Sequence, residues 1–223
     1  MTLKLIIGNK AYSSWSLRGW LACRQSGLPF EETVVPLYDG AWMERRASED
    51  LAPSSGRVPI LWDGDTVVWD SLAILEHLNE KTGNTRFWPT EPAARAMARS
   101  IAAEMHASFA ALRTECSMNL RRTFPETRLS DEATSDVARI QRLWAQARAR
   151  FGGSGDFLFG DFGAADIMFA PVVTRFVTYA VPVSRFAERY IDAVTAHPFM
   201  QDWIAAAHEE DWVIDKYEGP IQP

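Results

Sequence analysis

The residues best placed for chemistry are hydroxyls gathered at one helix start and an acid–serine pair at another. Tyr12-Ser13-Ser14-Trp15-Ser16 stands ahead of the amphipathic run Leu17 to Gln25. The oxygens of serines there accept from the free N–H groups of a helix start, and a serine O–H remains a donor that a ligand can use. Asp70-Ser71 repeats the arrangement ahead of Leu72, Ile74, Leu75 and Leu78, which share one helical face. Between the two lies Arg57-Val58-Pro59. A proline cannot donate to a strand ladder, so Pro59 belongs at a strand start or an edge, and X-Pro bonds are the ones that turn cis at modest cost. Other chemistries have less to stand on. Cys23 and Cys116 are far apart, each inside a helical pattern, with no C-x-x-C between them. They read as buried thiols in a reducing cytoplasm. His77, His106, His197 and His208 show no ligand spacing, so no metal site is expected.

The elements that position these residues follow from pattern. Leu3 to Ile7 is apolar on both faces, as a central strand of a covered sheet must be. Gly27 and Pro29 stop the first helix, and Glu31 to Val35 reads as a second strand, parallel to the first. Trp42 to Asp50 is a short, ragged helical stretch. Ile60-Leu61-Trp62 and Thr66 to Trp69 flank Asp63-Gly64-Asp65, the composition of a hairpin, and Asp70-Ser71 opens the next helix. The order is βαβ–α–ββα, a thioredoxin-like α/β unit over residues 1–81. Residues 82–92, with Gly83, Asn84, Pro89 and Pro92, read as a linker. Residues 93–223 carry only helical periodicity: one long pattern from Ala93 to Arg122, a second after Ser130, and further helices from about Ala164, Val183 and Pro198. Pro171 falls inside one of them and is expected to kink it.

A net charge of −6 argues against nucleic acid or an anionic membrane as the main partner. No apolar run has the length of a membrane-spanning helix, and the N-terminal run reads as a strand rather than a signal peptide.

Val58-Pro59 entering a hairpin whose next helix begins Asp70-Ser71 resembles the glutathione-binding half of the glutathione S-transferases. Ser13-Ser14-Trp15-Ser16-Leu17-Arg18 resembles the Ser-Ser-Cys-x-x-Arg stretch of their zeta class, with Trp15 at the cysteine position. Gly163-Ala164-Ala165-Asp166 is similar to the family's Ser/Thr-x-x-Asp capping box, with glycine in place of the hydroxyl residue. The resemblance covers essentially the whole chain. It implies an α/β thioredoxin-like domain plus an all-α helical domain, glutathione as co-substrate, a homodimer, a cytoplasmic location, and addition of the glutathione thiolate to a small electrophile, expected to be apolar. It also implies roles. A cis Val58-Pro59 bond would turn the Val58 backbone toward the cysteinyl part of glutathione. Ser13 would activate the sulfur, with Ser14 as neighbour and possible substitute. Asp70 would pair with the γ-glutamyl ammonium and Ser71 would receive the carboxylate beside it. Arg57 would stand near the glycyl carboxylate, and Asp166 would hold the loop at 157–163 through backbone amides.

The energetics suffice without a metal or a general base. Lowering a thiol pKa from about 8.5 by about two units takes roughly 2.7 kcal/mol. A hydroxyl donating to the charged sulfur supplies about 1.5–3 kcal/mol, and a helix N-terminus about 0.3–2 kcal/mol. Trp15, Trp42, Met105, Ser108, Leu112 and Trp203 are candidate walls for the second substrate, and Arg18 and Arg113 candidate cations. Two alternatives stand beside the transferase: a glutathione-dependent cis–trans isomerase of a maleyl-type diacid, and a non-catalytic binding protein on the same fold.

Overall fold

Leu3, Leu5, Ile6 and Ile7 are all buried, and the strand that carries them takes the interior of the sheet. The computed structural model describes residues 2–219. Its first part runs β1 (Leu3–Gly8), α1 (Ser14–Ser26), β2 (Phe30–Val35), α2 (Trp42–Arg45), β3 (Ile60–Asp63), β4 (Thr66–Trp69) and α3 (Ser71–Lys81). The sheet order is β2-β1-β3-β4. β1 and β2 are parallel, with Leu5 opposite Glu32, while β1–β3 and β3–β4 are antiparallel, with Leu61 opposite both Leu5 and Val68. The less buried strands β2 and β4 lie at the edges, where their exposed residues, such as Glu31, Glu32 and Thr66, meet water. This is the thioredoxin-like arrangement. α2 is shorter than the pattern suggested: past Arg45 the backbone tightens into turns, Ala47 N–H to the Glu44 carbonyl and Ser48 N–H to that of Arg45, while the Arg45 side chain makes a two-pronged bond to Asp50.

The second part is helical: α4 (Pro92–Ala107), α5 (Ala110–Glu115), α6 (Asp131–Phe151), α7 (Ala164–Thr178), α8 (Arg185–Ala196) and α9 (Pro198–His208). The single long helix expected over Ala93 to Arg122 is broken. Ser108 is extended and Phe109 has φ 62°, so α4 ends and α5 starts afresh. Tertiary bonds hold that break. Asp136 of α6 accepts the Leu112 N–H, and beyond α5 the backbone of residues 116–120 is taken up by other elements. Arg175 Nε donates to the Cys116 carbonyl, Thr178 to that of Asn119, and the Leu120 N–H to Ala11.

α7 is the axis of the molecule. It is buried almost throughout and packs on α1, α4 and α8. Its start is held by Asp166, whose carboxylate accepts N–H bonds from Leu158 (3.1 Å) and Gly163 (3.0 Å) and the Tyr190 hydroxyl (2.9 Å). That is the loop-holding role expected of it. Gly163 makes only half of the capping box, having no side chain to return the bond. The reason for glycine is steric: a Cβ there would stand 2.7 Å from the Phe87 carbonyl oxygen, which already accepts the Ala164 N–H at 2.8 Å. Restoring the family's hydroxyl should therefore do harm. Gly163→Ser is expected to cost about 1–3 kcal/mol of overpacking, more than the roughly 1 kcal/mol a serine cap returns. Thermal unfolding would show a melting point lowered by a few degrees; a raised one would mean that the Phe87 loop yields.

Candidate active site

Three loops converge where α1 begins. Ser13 is the N-cap of α1, its own N–H bonded to the Asn9 carbonyl. Its hydroxyl donates to Ser16 Oγ at 2.8 Å and accepts the Ser16 N–H at 3.4 Å, and Ser16 Oγ in turn accepts the Gly8 N–H. The Ser13 proton is thus directed into the helix start. Ser14 differs: its oxygen accepts from Arg175 Nη2 at 3.3 Å, and no acceptor takes its O–H among the described residues. Tyr12 is occupied elsewhere. Its hydroxyl donates to Glu218 and accepts from Arg121, and burial, then Glu218, raises its pKa above the usual phenol range. The other nucleophile type is sealed away. Cys23 and Cys116 are buried, burial pushing the first thiol far up and the second up to about 12.

Pro59 follows a cis peptide bond from Val58 and packs on α1 at Gly19, where a Cβ would stand 2.8 Å from the proline ring. No hydrogen bond within the described residues takes the Val58 N–H or carbonyl. At the head of α3, Asp70 is held at φ 75° and ψ 133°, a conformation uncommon outside glycine. Oδ1 caps the Leu72 and Ala73 N–H groups, and Oδ2 lies 3.3 Å from His106 Nε2 of α4. The Ser71 hydroxyl beside it is buried and has no partner.

A cavity of about 600 Å³ opens between the two parts of the chain. Ser13, Ser14, Arg57 and Val58 line it together. Pro59, Asp70 and Ser71 do not; Asp70 is linked to it through His106 and Trp15, whose rings meet edge to face at 5.2 Å. Of the expected walls, Trp15 and Trp42 line the cavity. Met105, Leu112 and Trp203 are core residues, and Ser108 is exposed outside it. Arg113 lines it as well, whereas Arg18 is buried behind Trp15 and donates to the Met168 carbonyl. The Trp15 ring has the Arg18 guanidinium at 4.6 Å and that of Arg113 at 5.1 Å.

Arg175, from the middle of an apolar helix, is the residue that sequence reasoning missed. It is 5% exposed, lines the cavity, and among the described residues bonds only to the carbonyls of Cys116 and Pro171 and to Ser14. Burial and then neighbouring Arg113 push its pKa down to about 10; Arg18 is pushed down to about 9 by burial, then Arg175 and Arg113. Both stay charged at neutral pH. A lone arginine among Phe169, Ala170, Val172, Val173 and Phe176 was the available signal, because a charge on an apolar helix is placed there at a cost. No cluster of three or more His, Cys, Asp or Glu is arranged to hold a metal among the described residues, and no described helix is long and apolar enough to cross a membrane.

A four-stranded thioredoxin-like sheet, a serine pair at its first helix start and a helical second part define the class. Residues 12–81 match the family model for the glutathione S-transferase N-terminal domain, and residues 94–206 that for its C-terminal domain. The chain is 30% identical over 182 residues to glutathione S-transferase 1 of Dianthus caryophyllus, covering 79% of each. It is 41% identical over 61 residues to dichloromethane dehalogenase of Methylorubrum extorquens, a match that spans 27% of this chain and 21% of that protein. The crystal structure of a glutathione transferase homolog from Burkholderia, with bound glutathione, superposes with a TM-score of 0.70 at 22% identity, over 94% of this chain and 100% of that one. The chain belongs to the glutathione S-transferase family.

Proposed function

We propose that the protein is a glutathione transferase that holds glutathione along Val58, Asp70 and Ser71, with Arg57 at the glycyl end, and ionises its thiol at Ser13 and Ser14 for attack on a small electrophile. The observation that carries this reading is the Ser71 hydroxyl, buried without a partner at the head of α3. An unsatisfied buried hydroxyl costs about 1–3 kcal/mol, which a bound carboxylate would return, with the α3 N-terminus adding its own pull. The Val58 N–H and carbonyl, without partners among the described residues, suit the cysteinyl amide, and Asp70 Oδ2, which there meets His106 alone, suits the ammonium. Ser14 is given the larger share of thiolate stabilisation, since its O–H has no other acceptor while that of Ser13 is directed to Ser16. Following the family resemblance, the working form is a homodimer in the cytoplasm, a reducing compartment that suits two free buried thiols.

The test is a calorimetric titration with glutathione. Asp70→Ala should weaken binding by about tenfold to a hundredfold, the scale of a hydrogen bond between charged groups. Ser71→Ala is sharper. It should weaken glutathione binding while leaving the empty protein as stable as before or more so, because it removes a hydroxyl that nothing satisfies. If the wild type takes up no glutathione, the transferase reading fails and a partner-binding protein on this fold replaces it. Arg113 in the cavity also favours the diacid isomerase as a second reading, and product analysis separates the two: isomerisation returns glutathione unchanged, whereas transfer consumes it.

A further inference from the structure

The protein as a whole is acidic, at −6, yet the lining of the cavity at the α1 start contains four arginines and, among the described residues, no carboxylate. The lining arginines are Arg46, Arg57, Arg113 and Arg175, and none makes a salt bridge among the described residues. The acids at the Arg113–Arg175 end are engaged with other partners. Glu115 accepts from Ser130, Glu104 pairs with Arg139, Asp136 caps α5, and Glu218 is taken by Tyr12, Asn119 and Arg122. Arg175 is buried with no counter-ion, and Arg18, also buried, adds positive charge from behind Trp15. A buried cation without a partner is costly to maintain, so the arrangement calls for an anion.

Glutathione does not use up this charge. Its two carboxylates go to Ser71 with the α3 start and to Arg57, and its ammonium to Asp70, on the reading above. One thiolate at Ser14 then faces both Arg113 and Arg175. We infer that the second substrate is itself an anion, an electrophile bearing a carboxylate that docks on the guanidinium groups of Arg113 and Arg175 beside the sulfur. The inference rests on the transferase reading and names its substrate class. It replaces the apolar substrate expected from sequence. The planar guanidinium fork matches a carboxylate, and Trp15, stacked between Arg18 and Arg113, offers a flat apolar wall for the carbon skeleton. In a substitution on an aryl chloride, the thiolate sulfur forms the new bond to carbon, and chloride leaves with the pair from the broken C–Cl bond. The thiol proton has already gone to solvent.

The probe pair is a chloronitrobenzoate and its methyl ester, each rate being divided by the uncatalysed rate with glutathione. The wild type should favour the acid over the ester by about tenfold to a hundredfold, the range of a hydrogen bond to a charged group. Arg113→Gln should lose most of that preference while keeping glutathione affinity by calorimetry. Arg175→Gln should lose the preference too, together with part of the thiol ionisation through its bond to Ser14; should it fail to fold, Arg113→Gln alone carries the test. A wild type that binds glutathione but shows no preference for the acid overturns the inference and leaves the transferase reading intact. So does an Arg113→Gln that slows acid and ester equally, since the charge would then serve the thiolate alone. Absence of glutathione binding overturns both.

Discussion

Asp166→Ala should remove a large share of the protein's stability. The carboxylate lies wholly inside the molecule and accepts three bonds, from the Leu158 and Gly163 N–H groups and the Tyr190 hydroxyl. Truncation strands three buried donors, each costing about 1–3 kcal/mol, and opens a small void. A loss of about 4 kcal/mol or more is expected, against a total stability of about 5–15 kcal/mol for a protein of ordinary size. Asp166→Asn, nearly the same in volume, is the gentler probe. Its amide keeps one acceptor but turns a donor toward a donor, so about 2–3 kcal/mol should still be lost by urea unfolding.

The pH dependence carries a sign that separates this carboxylate from most. Burial raises its pKa from 3.8 to about 6 and outweighs the three hydrogen bonds, which favour the charged form. The folded state therefore holds its proton more tightly than the unfolded chain does. The stability this adds is fully present below the unfolded pKa and is lost as pH climbs through the folded one. Between about pH 4 and about pH 6 the loss amounts to about 3 kcal/mol. Asp166→Asn removes the titration. The stability gap between wild type and Asn variant should accordingly narrow as pH rises over that window. A gap that widens would mean that the bonds from Leu158, Gly163 and Tyr190 win over burial.

Asp166 was legible through the resemblance to the family's capping box, and two of its partners, Leu158 and Gly163, lie close along the chain; the third, Tyr190 of α8, does not. Also legible were β1, Pro59 at the strand head, and Asp70-Ser71, whose patterns are local. The break at Ser108–Phe109 was not: the helical spacing of Met105, Phe109 and Leu112 runs straight through it, and only Asp136, on another helix, marks the new start. Arg175 was hidden for the same reason. It meets Ser14 across 161 positions of chain, through the packing of α7 on α1, and that distance carries no periodicity. Without that placement, the family resemblance implies an apolar second substrate. With it, the cavity's charge points the other way. Choosing among Tyr12, Ser13 and Ser14 likewise needed hydrogen-bond directions that composition does not hold.

Those directions yield the second large effect, on the sulfur itself. Ser14→Ala is expected to raise the pKa of bound glutathione's thiol by about one to two units, the equivalent of losing a hydrogen bond to a charged group worth about 1.5–3 kcal/mol. Ultraviolet absorbance of the thiolate, followed through a pH titration of the complex, reads this directly. The kinetic consequence has a defined sign. With less thiolate at low pH, kcat/KM should fall by about tenfold or more below the wild-type pKa, and the deficit should close once pH passes the variant's own. Ser13→Ala should behave differently. It removes the α1 cap, costing about 1 kcal/mol of stability, and should move the thiol pKa little, because its proton already goes to Ser16. The reverse outcome, a large pKa shift in Ser13→Ala and none in Ser14→Ala, would hand the sulfur to Ser13, as its position in the zeta-like stretch implies. Arg175 would then touch the reaction only through the second substrate. If Ser14 is the donor, the same guanidinium that meets the substrate's carboxylate also draws electron density from the Ser14 oxygen at 3.3 Å and strengthens its O–H as a donor. Thiol ionisation and acid preference would then be coupled through one residue, and Arg175→Gln should disturb both where Arg113→Gln disturbs only the preference.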